Sequence, residues 1–293
     1  NPELNASYAL GYNNLMQEPN SNLSLQYGQR FLKNEKLGVM LNFNHSTNNM
    51  GSDNWEREPF DNEFELRDYE ITRTRLGASA SIDYKFNENS TVHFRSIFSE
   101  FTDREWRRRY VFVPEDDEIE KNTKDRFEAQ SVQAYNLGGR HVLPKFQIDY
   151  EVQYSFGEQD TPYDNESAFI AGTPSSVDFS NTDFPVLHAP GYLNNEDYEF
   201  DALEMGSTLA EDQNLTAKFN IGIPYKVGNQ NGLIKFGSKV RMKTKSFTIN
   251  ANVYENLGGV PNLNQFEGGL LDDNFLGGEY EFYHTTTANY WGG

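Results

Sequence analysis

A strict alternation of apolar and polar residues constrains the fold of this chain more than any other feature. It is clearest over residues 75–101, where apolar side chains at every second position stop at a short polar turn, 87–90, and then resume. A period of two places successive side chains on opposite faces of a β-strand. This segment therefore predicts a hairpin with one apolar face, beginning with the row Leu76, Ala78, Ala80, Ile82, Tyr84 and Phe86.

The same unit recurs along the chain and predicts about nine strands. Further apolar rows lie near 4–12, 23–31, 37–43, 128–142, 146–156, 215–225 and 234–242. The connections alternate between short turns (32–36, 87–90, 143–145, 227–232) and long polar segments (48–70, 102–126, 157–206). Short turns at one end and long loops at the other are typical of transmembrane β-barrels. We therefore expect an all-β, antiparallel transmembrane β-barrel with short periplasmic turns and long extracellular loops.

The composition agrees with this fold and argues against several functions. A net charge of −19 disfavours nucleic acid as a partner, and the absence of cysteine excludes disulfides and thiol nucleophiles. The mean hydropathy is −0.75, and no apolar run approaches the roughly 20 residues of a membrane helix. A barrel tolerates such polarity because only alternate residues meet lipid. The 14% of aromatic residues suits the interfacial girdles of a barrel.

Catalytic motifs are missing from the sequence. The five histidines are scattered, and neither HExxH, GxSxG, a P-loop nor GxGxxG occurs. We therefore expect a protein that is not an enzyme and needs no cofactor.

Four segments carry a resemblance to a known family: 10–31 (LGYNNLMQEPNSNLSLQYGQRF), 36–56, 65–90 and 126–143. Through them the chain, from residue 1 to about 255, resembles the early barrel strands of TonB-dependent outer-membrane receptors, in the oligosaccharide-uptake branch common in Bacteroidetes-type bacteria. The resemblance implies a 22-stranded barrel in the outer membrane of a Gram-negative bacterium, a plug in its lumen and a TonB box. Residues 1–293 would supply nine to ten of those strands, as an excerpt of a longer precursor without plug or barrel C-terminus.

The resemblance also implies a set of partners. These are membrane lipid and lipopolysaccharide, a nutrient ligand, the TonB complex acting through the plug, and a surface lipoprotein.

Aromatic and basic side chains outside the apolar rows supply candidate binding residues. Exposed aromatic residues in long loops can stack on a sugar ring, although loops also pack their own aromatic residues; the candidates are Trp55, Tyr163, Tyr192, Tyr198 and Trp291, with Tyr290 beside the last. Arginine binds phosphate in a bidentate manner, so a cluster near the outer end of a strand is a candidate lipopolysaccharide contact, with a solvated strand end as the alternative: Arg104, Arg107, Arg108 and Arg109.

Two further charged groups have a functional and an ordinary interpretation. Acidic runs can hold Ca²⁺ through oxygen ligands or form solvated loops; they contain Asp116, Asp117, Asp272 and Asp273. A basic row from Lys235 to Lys245 could guide an anionic ligand or meet acidic groups of a plug. Alternatively, it keeps an inner face hydrated and paired with residues such as Asp149 and Glu151.

Two other classes of protein remain open from the sequence. One is a passive porin or structural outer-membrane barrel. The other is a soluble all-β carbohydrate-binding or adhesion module, in which the apolar rows would be buried between two sheets. Exposure of those rows on one side of a single sheet separates membrane barrels from the soluble module.

Overall fold

Nine long strands form one antiparallel sheet in the computed structural model, which describes residues 2–58, 63–255, 257–266 and 271–283. Their order in the sheet follows their order in the sequence. The strands before the long insertion are β1 (Glu3–Asn13), β2 (Glu18–Phe31), β3 (Leu37–Glu58), β4 (Glu63–Asn87), β5 (Ser90–Val113), β6 (Glu118–Val142) and β7 (Gln147–Ala171).

Short elements occupy the insertion and the segment after the last long strand. The remaining strands are β8 (Ser176–Asp178), β9 (Val186–His188), β10 (Glu199–Val227), β11 (Gln230–Glu255), β12 (Leu271–Asp272) and β13 (Phe282–Tyr283). β8 pairs with β9, β12 pairs with β13, and β10 and β11 complete the large sheet. Single 3-10 turns lie at Lys33–Glu35, Asn195–Asp197, Leu263–Phe266 and Phe275–Gly277.

The all-β, antiparallel architecture confirms the coarse prediction, and the sheet is open. β1 and β11 are its two edges, and within the described ranges no strand pairs with their outer sides. The total number of strands in a closed barrel stays a prediction.

The long strands extend much further from the short turns than the sequence predicted. We call the edge with the turns after β2, β4, β6 and β10 the turn end, and the opposite edge the loop end. Segments 48–70 and 102–126 were predicted as loops, and this is wrong: β3 runs to Glu58, β4 begins at Glu63, and only residues 114–117 separate β5 from β6. The loop predicted at 157–206 shrinks to 172–198.

Charge pairing across strands explains why alternation fails to reveal the outer halves of these strands. Between the exposed apolar rows and the loop-end core, around Asp68 and Arg108, both faces carry charged residues, so the period does not separate an apolar side from a polar side there. Instead, Arg108 Nη1 lies 2.8 Å from Asp68 on one face, while Arg107 Nη2 lies 2.7 Å from Glu166 on the other. The first pair joins the neighbouring strands β4 and β5, and the second reaches across β6 to join β5 and β7.

The strands are longer than a membrane crossing requires. β4, β6 and β7 have 25 residues each. At about 3.3 Å per residue such a strand is roughly 80 Å long, whereas about 9–11 tilted residues cross a bilayer.

The apolar core lies at the loop end, between the sheet and the segments that cover it. Phe64, Leu66, Tyr110 and Phe112 on the sheet are buried against residues of 172–198, 257–266 and 271–283, including Tyr198, Phe275 and Phe282. By strand register, the buried face continues toward the turn end as the face of Leu76 to Phe86. The covering segments therefore pack on the apolar side of the sheet.

Candidate functional site

The turn-end half of the sheet presents one continuous apolar face. Strand register aligns Ala6, Leu25, Phe43, Ala78 and Phe98 across five strands. It likewise aligns Leu137, Val152, Ala217 and Val240 across the other four. Many side chains of this face are open, with exposed fractions such as 37% for Ile82 and 50% for Val152 and Phe219. Within the described ranges no second sheet covers them, so the rows are not buried as a soluble sandwich requires.

The opposite face, which we call the polar face, is predominantly hydrophilic and closely packed. Near the turn end Arg30 Nη2 lies 2.9 Å from Asp83 Oδ2 on this face, and Asn42 donates to Ser79 Oγ at 3.0 Å. A Cβ atom at Gly77 would lie 2.2 Å from Asn44 Oδ1. Only glycine fits there without moving its neighbour.

The four arginines of β5 are divided between the two faces. Because side chains alternate along a strand, Arg104 and Arg108 lie on the apolar side and Arg107 and Arg109 on the polar face. All four are ion-paired, with partners Asp125, Asp68, Glu70, Glu166 and Glu65. The four arginines therefore cannot all contact one lipid surface. A lipopolysaccharide role stays a prediction and fits only Arg104 and Arg108.

A network of ion pairs joins β4 to β7 on the polar face near the loop end. Asp103, 4% exposed, lies 2.6 Å from Arg73 Nε and 3.6 Å from Arg126 Nη2. Glu166 joins Arg107 at 2.7 Å to Arg109 at 3.5 Å. These ion pairs therefore link four adjacent strands on the polar face.

Burial and pairing move several carboxyl pKa values at the loop end in opposite directions. Burial alone would raise the pKa of Glu166, but Arg107, Asn122 and Arg109 outweigh it and hold that pKa below its usual value. Burial raises the pKa of Glu120, and Asn122 offsets only part of the rise. Glu166 is therefore the better stabilised carboxylate of the two.

Two adjoining cavities of about 350 and 500 Å³ form a groove over β6, β7, β10 and β11, lined mainly by polar-face residues. Gln159 lines both cavities. The one nearer the loop end carries Glu128 and Glu204. The other is bordered by Val132 and by Phe247, whose side chain is 66% exposed.

Sequence reasoning missed this groove, although a signal was present. Phe247, Ile249, Ala251 and Val253 share the parity of the basic row that precedes them on β11, so they interrupt a polar face with apolar side chains.

The basic row of β11 lies on the polar face beside two cationic residues of β10. Lys235 Nζ lies 2.7 Å from Asp149 Oδ1, and Lys243 and Lys245 share Asp212 at 2.9 and 3.2 Å. The expected pairing with acidic residues of other strands therefore occurs at Asp149.

The aromatic candidates have different surroundings. Trp55 Nε1 donates to the Asp183 carbonyl at 2.9 Å, and Tyr192 donates to the Glu281 carbonyl at 2.6 Å. Tyr198, 0% exposed, donates to the Tyr192 carbonyl at 2.7 Å, and burial raises its pKa strongly. These three belong to the loop-end core, so they match the alternative in which loops pack their own aromatic residues.

The remaining aromatic candidates are placed differently. Tyr163 lies on β7, where its hydroxyl accepts a hydrogen bond from Arg104, and its ring is stacked 6.3 Å from that of Phe127. Tyr290 and Trp291 lie outside the described residues. Sugar stacking by any of these residues stays a prediction.

The acidic candidates for calcium lie in two separate parts of the chain. Asp116 and Asp117 form the exposed β5–β6 turn, while Asp272 lies in β12 and accepts from the Asn274 amide at 2.9 Å. Across the described ranges, no three histidine, aspartate or glutamate side chains gather in a metal-binding arrangement. Calcium binding stays a prediction. In the same ranges no helix is both long and apolar enough to span a bilayer.

Comparisons with known proteins add little to this description. No protein-family model and no curated protein matches the chain. Among solved structures, the chain is similar to Pseudomonas aeruginosa OpdK with vanillate at 7% identity, covering 86% of this chain and 97% of that one, with a TM-score of 0.12. Pseudomonas aeruginosa OccK2 (OpdF) in complex with glucuronate gives 7% identity, 87% and 95% coverage, and a TM-score of 0.09.

At TM-scores of 0.12 and 0.09 the backbones do not superpose. The fold of the described residues defines the class of this protein as all-β, with one large open antiparallel sheet and two short two-stranded sheets.

Proposed function

We propose that this chain forms part of the wall of a TonB-dependent receptor in the outer membrane of a Gram-negative bacterium. The receptor takes up a bulky nutrient, with oligosaccharides as the class suggested by the sequence resemblance. One observation supports the membrane assignment above all others. The apolar face continues across all nine long strands and stays exposed at the turn end, with a hydrophilic face behind it.

The dimensions of the apolar face support this proposal. The row from Leu76 to Phe86 covers ten residue steps. At about 3.3 Å per step and a tilt of about 45°, it is roughly 23 Å tall, which suits the apolar band of about 25 Å in outer-membrane barrels. The loop-end halves of the strands then extend beyond the membrane on the extracellular side.

The polar face lines the lumen in this proposal. Its groove, with Phe247 and Val132 on one border and carboxylates near the loop end, offers a ligand both apolar contact and hydrogen-bond acceptors. The chemistry is binding and translocation, and no bond is broken. The 22-strand total, the plug, the TonB complex and a surface lipoprotein partner enter the proposal from the resemblance alone.

Single cysteine variants test the orientation of the two faces, because the chain has no native cysteine. Ala80 and Ser81 are neighbours on opposite faces of β4. In outer membranes, we expect a water-soluble maleimide to label the Ser81→Cys variant and a lipid-dissolved maleimide to label the Ala80→Cys variant. Equal labelling of both by the water-soluble reagent, in protein that remains soluble without detergent, would contradict the membrane assignment.

Energy coupling needs a separate experiment. Nutrient uptake by cells that make this protein should stop when TonB is deleted or the proton gradient is collapsed. Uptake that continues unchanged would identify a passive channel, the second membrane class left open by the sequence.

A further inference from the structure

The basic row and its neighbours concentrate positive charge on one part of an otherwise acidic chain. The polar face of β7, β10 and β11 toward the turn end carries seven cationic side chains and three carboxylates, which gives a net charge of +4. The cations are Lys218, Lys226, Lys235, Lys239, Arg241, Lys243 and Lys245, and the carboxylates are Asp149, Glu151 and Asp212. The whole chain has a net charge of −19, so the charge of this patch is opposite in sign to that of the chain.

Two like charges in this patch face each other directly. Lys218 and Lys239 are register partners in the β10–β11 ladder, and like charges at directly opposed positions destabilise a sheet. Lys218 has Glu151 as its register partner on β7 and Asp149 at 3.8 Å. Lys239 has Lys218 on one side and the edge of the sheet on the other. The sheet therefore places two like charges at directly opposed positions, and only Lys218 has a carboxylate nearby.

Arg241 adds to the unneutralised charge. Its register partner is Thr216, and in the described part of the chain no carboxylate lies within ion-pairing distance of Arg241 or Lys239. Both side chains are exposed on an uncovered face. Along β11 the basic residues from 239 to 245 recur every second position, which places them roughly 7 Å apart.

We propose that this patch binds a nutrient bearing several acidic groups, specifically an oligosaccharide with carboxylates or sulfates. Charge complementarity selects this occupant: an anionic ligand relieves the repulsion between Lys218 and Lys239, and Arg241 offers the bidentate geometry that suits carboxylate and sulfate oxygens. Successive cations at regular spacing let an anionic chain pass from one to the next. This inference rests on the proposed function, since it names the substrate class of the same lumen wall.

The test measures binding of a galacturonic acid hexamer to the purified protein in detergent, by calorimetry at about 50 mM and about 200 mM salt. The Lys239→Gln, Arg241→Gln double variant removes two cations of β11 that have no carboxylate within ion-pairing distance among the described residues. A Lys33→Gln, Lys145→Gln double variant is the matched control, because it removes equal charge from exposed positions near two short turns. Neutral maltohexaose serves as the uncharged probe.

We expect the double variant to bind the acidic hexamer about tenfold more weakly at the lower salt concentration, with a smaller salt dependence. The control should bind it like the wild type, and affinity for maltohexaose should be the same in all three proteins. An unchanged affinity of the double variant, or an equal loss in the control, would overturn the inference.

A different occupant would give a different pattern. If the wild type fails to bind the hexamer while the double variant has an altered melting temperature, the patch meets an acidic segment of the protein itself, and the inference is overturned. TonB-dependent uptake is measured independently. The inference can therefore fail while the proposed function stands.

Discussion

Asp103 and Arg73 are register partners on β5 and β4, and the Arg73 Nε atom donates to Asp103 Oδ2 at 2.6 Å on the polar face. The Asp103 side chain is 6% exposed, whereas the arginine side chain is 37% exposed. Removing one partner from a buried ion pair leaves an uncompensated charge behind. Here the arginine can reach water, so the cost is smaller than for a fully buried pair.

The first prediction concerns this pair. Asp103→Ala should lower the free energy of unfolding by about 2–3 kcal/mol, because Arg73 and Arg126 both lose a carboxylate. Denaturant unfolding in detergent measures the change. Asp116→Ala, in the exposed β5–β6 turn, is the control and should change stability by less than about 0.5 kcal/mol. Equal effects of the two substitutions would show that the network does not stabilise the wall.

The second prediction concerns the core beneath the covering segments. Phe112 is 0% exposed and contacts both the sheet and residue Tyr192 of the first covering segment. Phe112→Ala should cost about 3–5 kcal/mol and make residues 172–198 much more sensitive to protease. Phe247→Ala, at a side chain 66% exposed, should leave the digestion pattern unchanged, and a shared new cleavage would argue against a local effect.

The third prediction concerns the response to acid. The pKa of Glu166 is lowered in the folded protein, so its contribution to stability is complete above the ordinary glutamate pKa of about 4.3 and disappears as the pH falls through the folded value. Melting temperatures of Glu166→Gln should therefore fall less steeply than those of the wild type below about pH 5.

Glu88→Gln is the matched control for this pH series, because Glu88 is exposed in the β4–β5 turn. Its melting curve should follow the wild type at every pH. A Glu166→Gln profile that runs parallel to the wild type would show that other groups govern the loss of stability in acid.

The fourth prediction distinguishes lipid contact from water contact on β7. Val152 lies on the apolar face and Gln153 on the polar face. Val152→Arg should reduce the folded, membrane-inserted fraction, since arginine facing the middle of a bilayer costs about 2–4 kcal/mol in a barrel. Gln153→Arg should insert like the wild type. Heat-modifiability on gels measures the folded fraction, and equal insertion of both variants would contradict lipid contact.

The sequence was most informative where one face of the sheet is apolar. The rows beginning at Leu76 and Phe146 could be assigned to strands because alternation is a direct consequence of a strand with unlike faces. At Arg107 and Arg108 the two faces are both charged, so the period carries no information, and the strand continues through a segment that looked like loop. Cross-strand partners such as Glu166 supply that information only in three dimensions.

The site residues illustrate a second restriction on sequence reasoning. The sequence around a tyrosine in a long loop does not show whether its side chain is exposed or buried. Tyr198 is buried because it belongs to a cluster with Phe169, Phe275 and neighbouring residues. Phe247 is an even number of positions from the preceding lysines on β11, which places it on the same face as those lysines. This could be used only once the face of the lysines was known. The groove on the polar face could therefore have been predicted only in part.

The covering segments 172–198, 257–266 and 271–283 pack on the side of the sheet that also carries the exposed apolar rows. If that side is the exterior of a barrel, as proposed, these segments lie above the membrane surface outside the barrel and do not cover the opening of its lumen. The size of a solute that can enter would then depend on the distance between facing strands of the barrel at the loop end. Shortening the covering segments should therefore leave the width of that opening unchanged.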